Sequence, residues 1–289
     1  GGNGTQKTAN KLTQAGVNVV SIPKTIDNDI WGTDISFGFD SAVTIATEAI
    51  DRLHSTASSH QRVMVIEVMG HKAGWIALHS GMAGGGDVIL IPEIPYNIHN
   101  IGNTIIERLK KGKTYSIVVV AEGIQTIDGK KAAEYIAQEI EYETGFETRE
   151  TVLGYIERGG SPTPFDRNLA TRMGGHATEM IANGLFGRMV ALKGSQISSI
   201  PLEDVAGKLK LVHEAIRLFT ETASEISLIP TIESNKLFIF DASKNNNPNL
   251  MAQVKNKEVE ALLFDRDFFK DEDFISCVTK SIAELLKVH

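Results

Sequence analysis

Cysteine is almost missing from this sequence. Cys277 is the single one in 289 residues, which excludes an intrachain disulfide and fits a reducing cytosol. No apolar run reaches the roughly 18 residues that a membrane-spanning helix needs, and no basic-then-apolar leader opens the chain. A soluble, cytoplasmic protein is therefore expected. Cations are also in deficit: Lys and Arg total 29 against 36 Asp and Glu, a net charge of -7. That balance argues against a general nucleic-acid or membrane-surface role, so any anionic substrate has to be met by a local cluster of cations. There is no internal repeat, and the only low-complexity stretch is an Asn-rich loop at Lys244–Asn249.

What is present is an ordinary globular composition, 42% hydrophobic, in a chain long enough to bury one large or two moderate cores. Continuous apolar runs at Val17–Ile22, Val63–Met69, Val88–Pro92, Ser116–Ala121 and Arg188–Leu192 read as strands. Between them, Gln6–Ala15, Ser41–His54, Trp75–Met82, Ile101–Lys111 and Pro162–Gly184 read as helices, with Val43, Ile45, Ala46, Ala49, Ile50 and Leu53 at helical spacing in the second of these. Runs of Val and Ile alternating with helices indicate parallel strands covered on both faces, a doubly wound α/β fold. After Ser227 the character changes, to a strand at Lys236–Phe240, the Asn-rich loop, and an amphipathic helix at Phe274–Val288.

Directly after the first apolar run stands Pro23-Lys24-Thr25-Ile26-Asp27-Asn28-Asp29. Ligands bind in the loops at strand C-termini of open α/β sheets. On an extended loop Asp27 and Asp29 share one face, so a base for a hydroxyl and a metal-facing ligand can sit at one site. That pattern suits group transfer to an alcohol; the competing reading is an Asx-rich turn that bonds its own backbone. Upstream, Gly2, Asn3, Gly4 and Thr5 suit a phosphate cradle at a helix N-terminus, or else a tight structural turn. Arg62, Arg149 and Arg158 offer guanidinium forks for a phosphate, although a lone surface arginine is usually just solvated. His54, His60, His79 and His99 lie in no metal-like spacing and read as surface or packing residues, and Trp31 and Trp75 read as packing residues rather than ligand platforms.

Four motifs in order, Gly1-Gly2-Asn3-Gly4-Thr5, Pro23–Asp29, Met69-Gly70-His71-Lys72-Ala73-Gly74-Trp75 and Leu153-Gly154-Tyr155-Ile156-Glu157-Arg158-Gly159-Gly160-Ser161-Pro162, closely resemble the 6-phosphofructokinase family. The resemblance runs from Gly1 to about Ser227. It implies a phosphofructokinase-like two-domain α/β architecture: 1–38 with 157–227 on the nucleotide side, 39–156 on the sugar-phosphate side, and 228–289 as a tail of unread role. It implies transfer of the ATP γ-phosphoryl group to the 1-hydroxyl of fructose 6-phosphate, with Mg²⁺. Asp27 would be the general base, Asp29 would sit near the magnesium with Asn3, and Thr25 would bond the transferring phosphate or the sugar. Glu122 matches the acceptor for a sugar hydroxyl, and Met69, Gly70 and His71 match the stretch lining the sugar site. Tyr155, Arg158, Arg62 and Arg149 match the grip on the 6-phosphate, the last two reaching across from a neighbouring subunit, which implies a homodimer or homotetramer with shared sites.

The sequence also departs from the common ATP-using pattern. Asn3 replaces an Asp facing the magnesium, Lys24 replaces a Gly, His71 replaces an Arg and Tyr155 replaces a His. Pyrophosphate users carry an Asp at the position of Gly4, so Gly4 argues for ATP, whereas Lys24 is shared with the pyrophosphate-using and mixed branches. Because the sequence starts inside a glycine motif with no preceding strand, a longer protein lacking its N-terminal segment is expected. An ATP-dependent 6-phosphofructokinase is the expectation; its rivals are the pyrophosphate-dependent enzyme and a catalytically silent sugar-phosphate-binding subunit.

Overall fold

The computed structural model describes residues 1–212, 230–233 and 236–239. Its chain divides into two compact units, Gly1–Arg217 and Leu218–His289. In the second, β10 (Pro230–Glu233) and β11 (Lys236–Ile239) form an antiparallel hairpin, which takes in most of the strand expected at Lys236–Phe240. The expected loop at Lys244–Asn249 and helix at Phe274–Val288 lie outside the described residues.

The first unit begins with α1 (Asn3–Gln14), β1 (Val20–Ser21), β2 (Lys24–Thr25), β3 (Phe37–Gly38) and α2 (Phe39–His60). It continues through β4 (Val63–Val68), α3 (Trp75–Ala83), β5 (Val88–Leu90), α4 (Ile98–Lys110), β6 (Ser116–Ala121), α5 (Ala132–Thr144) and β7 (Thr148–Val152). The last elements are α6 (Pro164–Ala182), β8 (Arg188–Lys193), β9 (Gln196–Pro201) and the single turn α7 (Leu202–Val205).

Strands β5, β6, β4 and β7 make one all-parallel sheet in that spatial order. Every residue of β4 and β6 is buried, as expected where helices cover both faces and polar alternation disappears. The register pairs Val63 with Ser116 and Val68 with Ala121, so the two central strands end level. Strand β7 pairs from Val63↔Thr148 to Glu67↔Val152, so its following turn emerges at the same edge. The loops after β4, β6 and β7 are thus gathered at one C-terminal edge, where open α/β sheets place their ligands.

A three-stranded sheet orders β1, β8 and β9, while β2 and β3 pair separately in parallel. Alternation along β8 builds its two cores. Val190 and Leu192 pack with Leu169, Met173, Ala177 and Met180 on one face, while Met189 packs with Ala9, Ile30, Leu202 and Val205 on the other. Burying each of these side chains other than the two alanines contributes about 1.5–3 kcal/mol. β9 returns antiparallel on β8 through Gly194 and Ser195, with Gly194 at φ 58° as a two-residue hairpin turn requires. The expected purely parallel arrangement therefore holds for the four-stranded sheet and not for this one.

Helices α2 and α6 are tied at their starts. Thr163 caps α6 by accepting from Asp166 N, Asp166 Oδ2 accepts from Ser41 N and Oγ at 2.8 and 2.6 Å, and Thr163 Oγ1 donates to Asp40 Oδ2. Asp40 and Ser41 belong to the first turn of α2, so each helix supplies partners for the other's orphan donors.

Candidate active site

The loop Thr25–Asp29 does not run straight. Asn28 adopts a left-handed conformation, φ 53°, and its Oδ1 accepts from Ser36 N at 3.0 Å. Asparagine tolerates that geometry better than most residues. The expected extended loop is thus replaced by a turn, yet Asp27 and Asp29 remain close enough for their charges to interact. Burial, and then the Asp29 charge, push the Asp27 carboxyl above its ordinary range, against a hydrogen bond from Thr25. That bond runs from Thr25 Oγ1 to Asp27 Oδ2 at 3.1 Å, and the hydroxyl in turn accepts from Asp27 N at 3.2 Å. Asp29 is buried, with its carboxyl raised by that burial and opposed by an Asn3 hydrogen bond. Asn3 Nδ2 also reaches Asp29 O at 3.3 Å.

The glycine motif forms the first turn of α1 rather than a separate loop, because the helix starts at Asn3 and not near Gln6. Gly2 is the residue before the helix and sits beside the Thr25 side chain, 3.7 Å from its Cβ to where a Cβ would stand. Gly4 and Thr5 are exposed on that turn, with open space around Gly4. No acidic residue occupies the turn, so the helix N-terminus keeps its positive potential for an anion.

From the four-stranded sheet come the other components. Glu122, just past β6, accepts from Gly70 N at 3.2 Å and His71 N at 2.7 Å. Gly70 has φ 143°, and a Cβ there would lie 2.5 Å from Ala73 O, so this close turn requires glycine. The charges of both Glu122 and His71 act on Asp27, the first raising and the second lowering its pKa. This gathers Thr25, Asp27, Asp29, Asn3, Gly2, Met69, Gly70, His71 and Glu122 into one region.

Arg62 and Arg149 are not part of it. They stand at the opposite end of β4, where Arg62 Nε lies 2.7 Å and Arg149 Nη2 2.5 Å from the two Glu147 oxygens. A six-residue strand separates them from the Gly70 turn, about 20 Å at the usual rise. Tyr155 and Arg158 lie on the turn after β7 at the carboxylate end, both exposed, with the guanidinium 5.2 Å from the tyrosine ring centroid.

Two groups here carried no signal as site residues in the sequence. Glu157 is buried, accepts from Met69 N through both oxygens, and is pushed up to about 8 by burial. The neighbouring carboxylates Glu122, Asp27 and Glu67 add to that rise. Lys210 donates to Asn28 Oδ1 at 2.9 Å. Burial pushes its ammonium down to about 7, against the pull of Asp34 and Asp29. Trp31, expected to pack, is 47% exposed, whereas Trp75 does pack, donating from Nε1 to Lys210 O at 2.9 Å.

A family model described as "PFK: Phosphofructokinase" matches residues 1–181. This chain belongs to the phosphofructokinase family. It is 86% identical over 214 residues to ATP-dependent 6-phosphofructokinase 3 of Bacteroides thetaiotaomicron, covering 74% of this chain and 64% of that protein. It is 57% identical over 229 residues to an ATP-dependent 6-phosphofructokinase of Spirochaeta thermophila, covering 73% and 63%. The chain thus spans just under two thirds of the length of these curated relatives. Among solved structures it resembles pyrophosphate-dependent phosphofructokinases from Nitrosospira multiformis (TM-score 0.68, 26% identity) and Marinobacter aquaeolei (TM-score 0.66, 28%). Each of those matches covers 74% of this phosphofructokinase-family chain and 60% of the solved one. Among the described residues no helix is long and apolar enough to cross a membrane.

Proposed function

We propose that this chain carries the acceptor side of a 6-phosphofructokinase, which transfers the γ-phosphoryl group of ATP to the 1-hydroxyl of fructose 6-phosphate. The observation that carries this reading is the half-buried Asp27, raised in pKa and held by Thr25 at the junction of the two sheets' loops. A raised carboxylate is a stronger base than a solvated one. Asp27 accepts the hydroxyl proton as the sugar oxygen bonds to phosphorus, and the bond from phosphorus to the bridging oxygen of ADP breaks. Residues 1–38 with 157–227 serve the nucleotide and 39–156 the sugar phosphate. Gly2, Asn3, Gly4 and Thr5 cradle the donor phosphates with backbone N–H groups, and Glu122, Met69, Gly70 and His71 line the sugar. Tyr155 and Arg158 meet the 6-phosphate.

Asp27, Asp29 and Glu122 appear in none of the ion pairs found among the described residues. Such hard oxygen donors suit Mg²⁺. Asp29 and the Asn3 amide oxygen would hold that cation. When bound, it would neutralise charge on the transferring phosphate. Arg62 and Arg149 lie too far from Asp27 to serve the same chain's site, which supports a homodimer or homotetramer in which they serve a neighbour's. A cytoplasmic location accords with this glycolytic role.

Pyrophosphate as donor is the second reading, favoured by Lys24 and by the likeness to the two pyrophosphate-dependent solved neighbours. Gly4 and the names of the sequence relatives favour ATP. Gly4→Asp should suppress ATP use; unchanged ATP turnover would remove Gly4 as the discriminator. Asp27→Ala should lower turnover by about 10²–10⁴-fold while sugar phosphate still binds, and near-normal turnover would remove Asp27 as the base.

A further inference from the structure

A strap that belongs to none of the sequence motifs crosses the carboxylate loop. Leu209 forms an antiparallel bridge with Ile30, and Lys210 N donates to Asp29 O at 2.9 Å. The Lys210 ammonium then donates to Asn28 Oδ1 at 2.9 Å, Thr33 O at 3.1 Å and Asp34 O at 2.6 Å. Three donors meet three oxygens, the full capacity of a charged lysine and one more than a neutral amine has. The far side of the strap is anchored on the entry to α3. Lys210 Nζ lies 5.3 Å from the Trp75 ring centroid, and Trp75 Nε1 donates to Lys210 O. The Glu93 carboxylate accepts from both Val212 N and Gly74 N. The strap therefore joins the Gly70–Trp75 loop of one sheet to the Asp27–Asp34 loop beside the other.

We propose that Lys210 is a positioning residue for phosphoryl transfer, its ammonium fixing the turn from Asn28 to Asp34 and so the aim of Asp27 and Asp29. This rests on the reading of Asp27 as the base. Asn28 holds a left-handed conformation with two partners on Oδ1, Ser36 N and Lys210 Nζ. Removing the ammonium leaves only the first, and takes one donor each from the Thr33 and Asp34 carbonyls.

Lys210→Met in the full chain tests this, since it removes the charge at similar volume. Amide hydrogen exchange should quicken at least about tenfold over Asn28–Phe37 while β4 and β6 keep their protection. Turnover number should fall about 10²-fold, the effect of a misplacement near 1 Å, with KM for the sugar phosphate changed less than about threefold. Lys210→Gln, which keeps two N–H donors, should recover part of both. Unchanged exchange in the loop, or a loosened loop with unchanged turnover number, would overturn the proposal. Wild-type inactivity, or full activity of Asp27→Ala, would instead overturn the reading of the base, and the exchange measurement would still decide whether Lys210 holds the loop.

Discussion

Strand β4 has two ends of opposite character. At its start, the exposed Arg149 and the half-buried Arg62 share the Glu147 carboxylate, and the pull of Arg62 holds that carboxyl below its usual range. At its finish, Asp27 and Glu157 are both raised, first by burial and then by neighbouring carboxylates, Glu122 among them. Charges at the first end are relieved by their partners; those at the second are crowded and partly desolvated, with their main relief from backbone N–H groups. An arrangement that raises pKa values in this way works against folding, and such arrangements concentrate where chemistry is done. The paired end shows no such pressure.

The largest expected effect separates the ends by function. If the start of β4 grips a phosphate in a neighbour's site, Arg149→Ala should raise KM for the sugar phosphate by about 10- to 100-fold, the loss of one charged hydrogen bond pair. Turnover number should change much less, and an unchanged KM would place Arg149 outside the site. A smaller effect concerns the crowded end. Glu157 has a folded pKa of about 8 against an ordinary 4.5, so its contribution to stability is fully present below pH 4.5 and is lost as pH rises through 8. Glu157→Gln keeps an oxygen for Met69 N without the charge, so its melting temperature should exceed the wild type's increasingly from pH 5 to about pH 8. Parallel melting curves would show that Glu157 is not under that pressure. The smallest effect is on the paired end's stability: Arg149→Ala should leave the melting temperature nearly unchanged, because its exposed ion pair with Glu147 is screened by water. A large drop would mean that the start of β4 is a structural anchor.

Much of this architecture could be read beforehand, and the exceptions have physical causes. Strands β4 and β6 are continuous Val and Ile runs, and α2 shows its apolar stripe, so both follow from periodicity. The edge strand β7 reads Thr-Arg-Glu-Thr-Val with mostly exposed side chains, and β9 likewise offers no long apolar signal, whereas Ala133, Ile136, Ala137 and Ile140 do mark α5 at helical spacing. The glycine turn, the Asp27–Asp29 pair and the Gly70 turn are local motifs and were legible as such. Glu157 was visible as a letter in a motif, but its burial depends on three strands ending level. The grip of Lys210 on Asn28 spans 182 residues, and no local pattern encodes a contact of that range.

The most direct measurement of the account is formation of fructose 1,6-bisphosphate by the purified chain from fructose 6-phosphate and Mg²⁺, with ATP and pyrophosphate in parallel. The account predicts product with ATP, faster than with pyrophosphate. No product with either donor would contradict it.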